Sequence, residues 1–213
     1  MFKGSKVIKM KNKKIYFFFK RIIDILLSLI ALTVLIPFFI IFAIIIKCES
    51  KGPVFFRQKR FGKNKNFFTI YKFRTMRTDT PKDMPTHMLN NAESYITRFG
   101  GFMRKTSIDE LPQIINILQG EMSIIGPRPA LWNQDDLIQE REKYGANNVR
   151  PGLTGLAQIN GRDELEIPIK AKIDGEYVEK ISLWLDIKIF FKTIFKVFKS
   201  EGVVEGKKEK KED

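Results

Sequence analysis

Between Ile22 and Ile46 the chain reads IIDILLSLIALTVLIPFFIIFAIII, and the only charge in this stretch is Asp24. As a straight helix rising ~1.5 Å per residue it reaches about 37 Å, against a hydrocarbon core of ~30 Å. It is too long for the core of a signal peptide, and no small-residue cleavage site follows it. The segment belongs to a membrane. Lys3, Lys6, Lys9, Lys11, Lys13, Lys14, Lys20 and Arg21 precede it, and Lys47, Lys51, Arg57, Lys59, Arg60, Lys63 and Lys65 follow. Basic residues favour the cytoplasmic side, so both flanks ask for the same side. Pro37 removes a helix hydrogen bond midway. A segment that enters, bends at Pro37 and returns satisfies both flanks, although the backbone groups freed at the bend need partners inside the bilayer. A kinked spanning helix satisfies the length. Composition leaves both open.

The rest of the 213 residues is enough for one compact domain. Cys48 is the only cysteine, which excludes a disulfide framework and a cysteine-based zinc site. His87 is the only histidine, so a two-histidine zinc helix is excluded. Its polar, Pro-bounded surroundings suit an exposed loop. No glycine-rich nucleotide loop of either standard kind is present. The formal net charge of +14 admits nucleic acid or an anionic surface. No nucleic-acid recognition module accompanies it, and anionic cytoplasmic lipid accounts for the charge with fewer assumptions. Nucleic acid is not expected as a partner.

Asp109 and Glu110 stand side by side at an expected helix start. Ser107 is placed to cap that helix, and Glu110 three positions later completes a capping box. Pro112 falls near the first turn, where a missing donor costs least. Leu111, Ile114, Ile115 and Leu118 recur at helical spacing, and Gly120 supplies a stop. Just beyond, Pro127 and Pro129 hold Arg128 between them. Two carboxylates at a positive helix end near a fixed arginine suit phosphate chemistry; an ordinary capped helix followed by a turn has the same pattern.

Elsewhere Phe55 to Arg60 and Phe67 to Met76 read as strands around a turn at Gly62-Lys63-Asn64. A helix is weakly signalled over Asn90 to Phe99. Met122 to Ile125 reads as a short strand, and Leu131 to Tyr144 as a charged helix. Val149 to Gly155 is a turn-rich connector leading into the short run Leu156 to Ile159. Ile181 to Phe198 is amphipathic. Its Leu183, Leu185, Phe190, Phe191, Phe195 and Phe198 suit the membrane interface, with Lys188, Lys192, Lys196 and Lys199 at headgroups; packing of the same phenylalanines into a core is the competing reading. The tail from Gly206 is short, charged and expected to be disordered.

Six segments, taken together, resemble the bacterial sugar transferases known as monotopic phosphoglycosyl transferases. They are Lys20-Arg21-Ile22-Ile23-Asp24, Gly52-Pro53-Val54-Phe55-Phe56-Arg57-Gln58, Tyr71-Lys72-Phe73-Arg74-Thr75-Met76, Arg104 through Gln113, Met122 through Pro129, and Arg150 through Arg162. The likeness runs in order from about Lys20 to Val204, and the length resembles the small members. It implies an α+β, membrane-associated protein in four segments. A basic segment (1–19) precedes a re-entrant helix broken near Pro37 (20–48). A compact cytoplasmic domain (49–204) of helices, short strands or β-hairpins and interfacial amphipathic helices follows, then the charged tail (205–213). Small members carry a serine before that proline, where this chain has Ile36.

The resemblance also implies a reaction on the cytoplasmic face of the bacterial inner membrane. A sugar 1-phosphate passes from a nucleotide diphosphate sugar, usually a UDP-sugar, to polyprenyl (undecaprenyl) phosphate, and UMP leaves. Asp109 is then the nucleophile, forming an aspartyl-phosphosugar; a carboxylate is ionised at neutral pH and needs no base. Glu110, with Asp109 beside it, is expected to hold Mg²⁺. Arg128 is expected to clamp phosphate, while Lys72 and Arg104 match basic positions that neutralise the diphosphate. Asp174 matches a further acidic position at the substrate. Lys20, Arg21, Asp24 and Pro37 are assigned to the membrane anchor, with Arg21 and Asp24 as a surface charge pair. A homodimer and glycosyltransferase partners both stay open, as does an inactive membrane scaffold of a glycan assembly complex.

Overall fold

The computed structural model describes residues 13–81, 91–161 and 165–199. His87 and the tail lie outside them. The first element, α1 (Lys14–Glu49), extends past both expected bounds and continues through Pro37 without the expected break. The proline ring removes only the donor that would reach the Thr33 carbonyl, and the apolar turns on either side carry the helix onward. Most of α1 is bare: Leu26, Leu29, Ile30, Val34, Phe38 and Ile41 are exposed. Its buried residues are Lys20, Asp24, Ser28 and Ile46. The first three are spaced by four, so a polar stripe on an apolar helix faces the protein.

After α1 the chain makes an antiparallel hairpin, β1 (Phe55–Phe61) and β2 (Phe67–Phe73), with Phe55 opposite Phe73 and Phe61 opposite Phe67. The expected helix near residue 90 is two pieces, α2 (Ala92–Tyr95) and α3 (Arg98–Lys105), parted by an extended Ile96 and Thr97. Thr97 caps α3 by accepting from Gly100 N, and Glu49 at the end of α1 accepts from Phe99 N at 2.9 Å. Next come α4 (Gln113–Gln119), β3 (Ser123–Ile125), α5 (Asp135–Glu142) and β4 (Gly152–Thr154). The last two elements are α6 (Ile167–Lys180) and α7 (Leu183–Lys199). β3 and β4 pair in parallel, Ser123 opposite Gly152 and Ile125 opposite Thr154.

The fold is therefore mixed, with a long apolar N-terminal helix able by length and composition to span or sit in a membrane. One core cluster joins Phe68 and Ile70 to Ile117 and Met122, placing α4 against the hairpin. Asn116 completes that contact. It accepts from Tyr71 N at 3.1 Å and donates to Thr69 O at 2.7 Å, satisfying the open edge of β2 as a strand would. A second cluster, with Ile125, Val149, Tyr177 and Ile189, binds β3, α6 and α7.

Both halves of α1 dock on this one domain. At its start Lys20 Nζ donates to Asp186 Oδ2 at 2.7 Å, and Asp186 also accepts from the hydroxyls of Tyr16 and Tyr177. The expected Arg21–Asp24 pair is replaced by two contacts to the domain. Arg21 donates to Ile117 O and Leu118 O at 2.6 and 2.9 Å, while Asp24 accepts from Ile124 N. Arg21 thereby caps the C-terminal end of α4: Ile117 O already accepts from Gly120 N at 3.0 Å, and the guanidinium adds a charged donor there and at Leu118 O. At the far end Phe39 and Phe42 pack edge-on against Phe73, with ring centroids 5.0 and 5.8 Å away. There Arg74 donates to Lys51 O and Ser50 O at 2.7 Å and to Ile46 O at 3.4 Å.

Candidate active site

The two acidic residues lie on a turn, and the expected capping box does not form. Ser107 adopts a left-handed conformation (φ 56°) and makes no side-chain cap, since an N-cap needs an extended backbone. Ile108–Glu110 is a 3-10 turn closed by Glu110 N to Ser107 O and Leu111 N to Ile108 O. Pro112 is the N-cap of α4, which begins at Gln113. Its buried side is Gln113, Ile114, Asn116 and Ile117, rotated from the expected apolar set. Left-handed serine is an uncommon conformation, and it aims both carboxylates inward.

Asp109 and Glu110 are 7% and 5% exposed. Glu110 is clamped: Lys72 Nζ and Arg128 NH2 both donate to its Oε1 at 2.7 Å, and Arg128 NH1 to its Oε2 at 3.2 Å. Asp109 Oδ2 stands 4.0 Å from Lys72 Nζ, at the limit of ion-pair contact. Burial pushes the Asp109 carboxyl above its ordinary 3.8, and Glu110 beside it acts the same way, against Lys72, Arg104 and Arg128. Burial likewise lowers the Lys72 ammonium, opposed mainly by Glu110. A desolvated carboxylate that binds a proton more avidly is also a better nucleophile once ionised.

Asp109 opens onto a cavity of about 550 Å³. Arg57, Arg60, Lys72, Arg74, Arg77 and Arg104 also line it, and Asp109 is the single carboxylate among its described lining residues. Lys72, Arg104 and Asp109 thus meet at one cavity. Arg128 joins them through Glu110. Asp174 does not: it is 1% exposed and accepts from Arg141 at 2.6 and 2.8 Å, between α5 and α6. Arg57, Arg60 and Arg74 had no assigned role. The signal for Arg74 was its spacing of two from Lys72, which puts both on one face of β2 and its extension.

A cationic cavity with one buried carboxylate is a phosphate site in outline, and sequence comparison places it in a family. Residues 15–200 match the bacterial sugar transferase family. The chain belongs to it. Among its relatives, undecaprenyl-phosphate glucose phosphotransferase of Komagataeibacter xylinus is 42% identical over 185 residues, 82% of this chain and 35% of that protein. The UDP-N-acetylgalactosamine-undecaprenyl-phosphate N-acetylgalactosaminephosphotransferase of Aeromonas hydrophila is 42% identical over 185 residues, 84% of this chain and 44% of that protein. The exopolysaccharide production protein PSS of Rhizobium leguminosarum bv. phaseoli is 41% identical over 187 residues, covering 82% of this chain and 92% of that relative. The chain thus spans less than half the length of the first two of these sugar transferases.

For a divalent cation the donor set is small. Among the described residues no three His, Cys, Asp or Glu side chains gather. Mg²⁺ commonly takes one or two carboxylates and completes its shell with water and substrate phosphate oxygens, and Asp109 with Glu110 fits that habit.

Proposed function

We propose that this sugar transferase moves a sugar 1-phosphate from a UDP-sugar to polyprenyl phosphate through a covalent intermediate on Asp109. The observation that carries this reading is the position of Asp109, the one described carboxylate on a cavity wall that otherwise supplies six cations. Two phosphate-bearing substrates repel each other, and fixed guanidinium and ammonium groups lower that repulsion where water is excluded.

In the first step an Asp109 oxygen attacks the sugar-bearing phosphorus. The bond from that phosphorus to the bridging oxygen breaks, and UMP departs with the electron pair. In the second step an oxygen of the lipid phosphate attacks the same phosphorus, the bond to Asp109 breaks, and the carboxylate is restored as polyprenyl diphosphate sugar forms. No proton transfer is needed in either step. Lys72 and Arg104 face the phosphates from the cavity wall, and Arg128 can exchange its hold on Glu110 for a phosphate oxygen. Glu110, with Asp109 beside it, would hold Mg²⁺, which supplies charge neutralisation at the departing phosphate.

The membrane part of the reading is that α1 sits in the cytoplasmic face with both of its ends on that side. Support comes from the docking of both its ends on one domain, through Arg21 and Asp24 at the start and Arg74 and Phe73 at the end. α7 adds a second lipid contact. Trp184, Ile187, Phe191 and Phe195 form an exposed apolar stripe, and Lys188, Lys192 and Lys196 stand beside it for anionic headgroups. The relatives act on glucose and on N-acetylgalactosamine at equal identity, so the donor is found by trial.

The test is UMP release by purified protein with Mg²⁺, undecaprenyl phosphate and a panel of UDP-sugars. Release that needs the lipid phosphate and disappears in Asp109→Asn is the expected result. Full release by Asp109→Asn rules out the covalent route. No release with any donor means either a donor sugar outside the panel or an inactive scaffold.

A further inference from the structure

Behind the cavity, Arg141 on α5 and Asp174 on α6 form a buried pair that touches the site at one atom. Arg141 Nε and NH2 both donate to Asp174 Oδ2, and its third nitrogen, NH1, donates to the main-chain oxygen of Arg128 at 2.9 Å. The next carbonyl, that of Pro129, accepts from Arg60 NH1 at 3.1 Å. Two guanidiniums therefore hold two consecutive carbonyls of the turn that presents Arg128. The residues before it are held as well, because Gly126 N donates to Thr154 O at 2.8 Å and Pro127 O accepts from Gly152 N at 2.9 Å.

We propose that Asp174 and Arg141 are positioning residues for Arg128, setting the direction from which its side chain meets Glu110 and a substrate diphosphate. The inference rests on the reading of Arg128 as a phosphate ligand. Asp174 is too deeply buried to touch substrate, and a buried ion pair is in general weak evidence for stability. What this pair adds is geometry. Only a planar fork can take a carboxylate with two nitrogens and keep a third aimed at a carbonyl; a lysine has no such plane. With Pro127 and Pro129 restricting the backbone on either side, holding the Arg128 carbonyl helps to set the direction in which its Cα–Cβ bond points.

The probe is Mg²⁺ with UDP, titrated into the full chain in detergent micelles. Arg128→Ala is expected to weaken UDP roughly 10- to 100-fold, the range for a lost charge-assisted contact. The paired change Arg141→Met with Asp174→Leu removes both buried charges together, so neither is stranded. It is expected to weaken UDP about tenfold in the wild-type background and to have no further effect once Arg128 is alanine. Arg141→Lys, which keeps the ion pair but not the third nitrogen, is expected to repeat that pattern and serves if the paired variant does not fold. Unchanged UDP affinity in these variants overturns the proposal, and so does an equal loss in the Arg128→Ala background. Unchanged affinity in Arg128→Ala itself, or no UDP binding by the wild type, removes the phosphate-clamp reading first and the positioning role with it.

Discussion

Gly52→Ala tests the seat of Arg74, the residue that joins the membrane helix to the cavity. Gly52 has φ +130°, and a Cβ there would lie 2.0 Å from Arg74 NH1 and 2.6 Å from Thr78 Cγ2. Ordinary contact is about 3.5 Å, so the guanidinium must retreat by roughly 1.5 Å. The bonds from NH1 to Lys51 O and from NH2 to Ser50 O, both 2.7 Å, then pass out of hydrogen-bonding range. Bonds to a charged group contribute about 1.5–3 kcal/mol each, though water recovers part of that at this half-open site. Backbone strain adds about 1 kcal/mol. The sum is about 3–5 kcal/mol, or roughly 6–20 °C in Tm for a chain of this size. Thermal unfolding in micelles measures it. The deciding comparison is the same change made on Arg74→Ala, where the collision with the guanidinium is gone and backbone strain and the Thr78 contact are left, so the drop in Tm is expected to be smaller than with Arg74 in place. An equal drop in both backgrounds refutes the account, because the glycine would then be acting without Arg74.

Three further outcomes are expected. Asp109→Asn should raise Tm at pH 7. The folded carboxyl holds its proton above the ordinary 3.8, so ionised Asp109 destabilises the fold above its folded pKa, and that penalty fades as pH falls toward 3.8. A lower Tm for Asp109→Asn at pH 7 contradicts this, as would an acid limb of activity at or below 3.8. Tyr177→Phe removes the hydroxyl that donates to Asp186 at 2.8 Å and should lower stability by about 1–3 kcal/mol, leaving UDP affinity unchanged. Cys48, the lone and exposed cysteine just after the apolar run, should react with a membrane-impermeant maleimide in inside-out vesicles and be protected in right-side-out ones. An N-terminal tag exposed on the face opposite Cys48 would mean that α1 crosses.

Several features were readable because their causes are local. The hairpin shows in two aromatic-rich runs around a Gly-Lys-Asn turn, and α1 in its long apolar run. Asp109, Glu110 and Arg128 stand out from the residues alone, and Lys72 and Arg104 from the family resemblance; the structure brings all five together. What escaped depends on distant partners. Asn116 interrupts an apolar series and looks like a blemish, yet it pairs with β2 45 and 47 residues away. α6 buries Ala171, Asp174 and Gly175 alongside Tyr177 and Val178, so its inner face carries little apolar signal. β4 read as a turn because Gly152 and Gly155 are there for close backbone approach to Gly126, a reason no local pattern encodes. The capping box failed because Ser107 turned left-handed. One cue was available: Lys20, Asp24 and Ser28, four apart on an otherwise apolar helix, already mark the side that meets protein.

The same contacts tie membrane seating to the geometry of the site. Arg21 near the start of α1 holds the last carbonyls of α4, and α4 follows the turn bearing Asp109 and Glu110 by two residues. Arg74 holds the carbonyls at the end of α1, and two residues before it Lys72 grips Glu110. One helix therefore sets both walls: the acidic turn through α4, and the cationic strand through Arg74. Asn116 braces those walls against each other directly. An α1 lifted from its seat would expose two sets of helix-end carbonyls and leave the guanidiniums of Arg21 and Arg74 without acceptors, so partial detachment is costly at both ends. The apolar middle of α1 makes no comparable polar contact with the domain and depends on lipid to cover it. On the reading that α1 sits in a membrane, removing lipid should loosen the Lys72–Glu110 contact along with the helix.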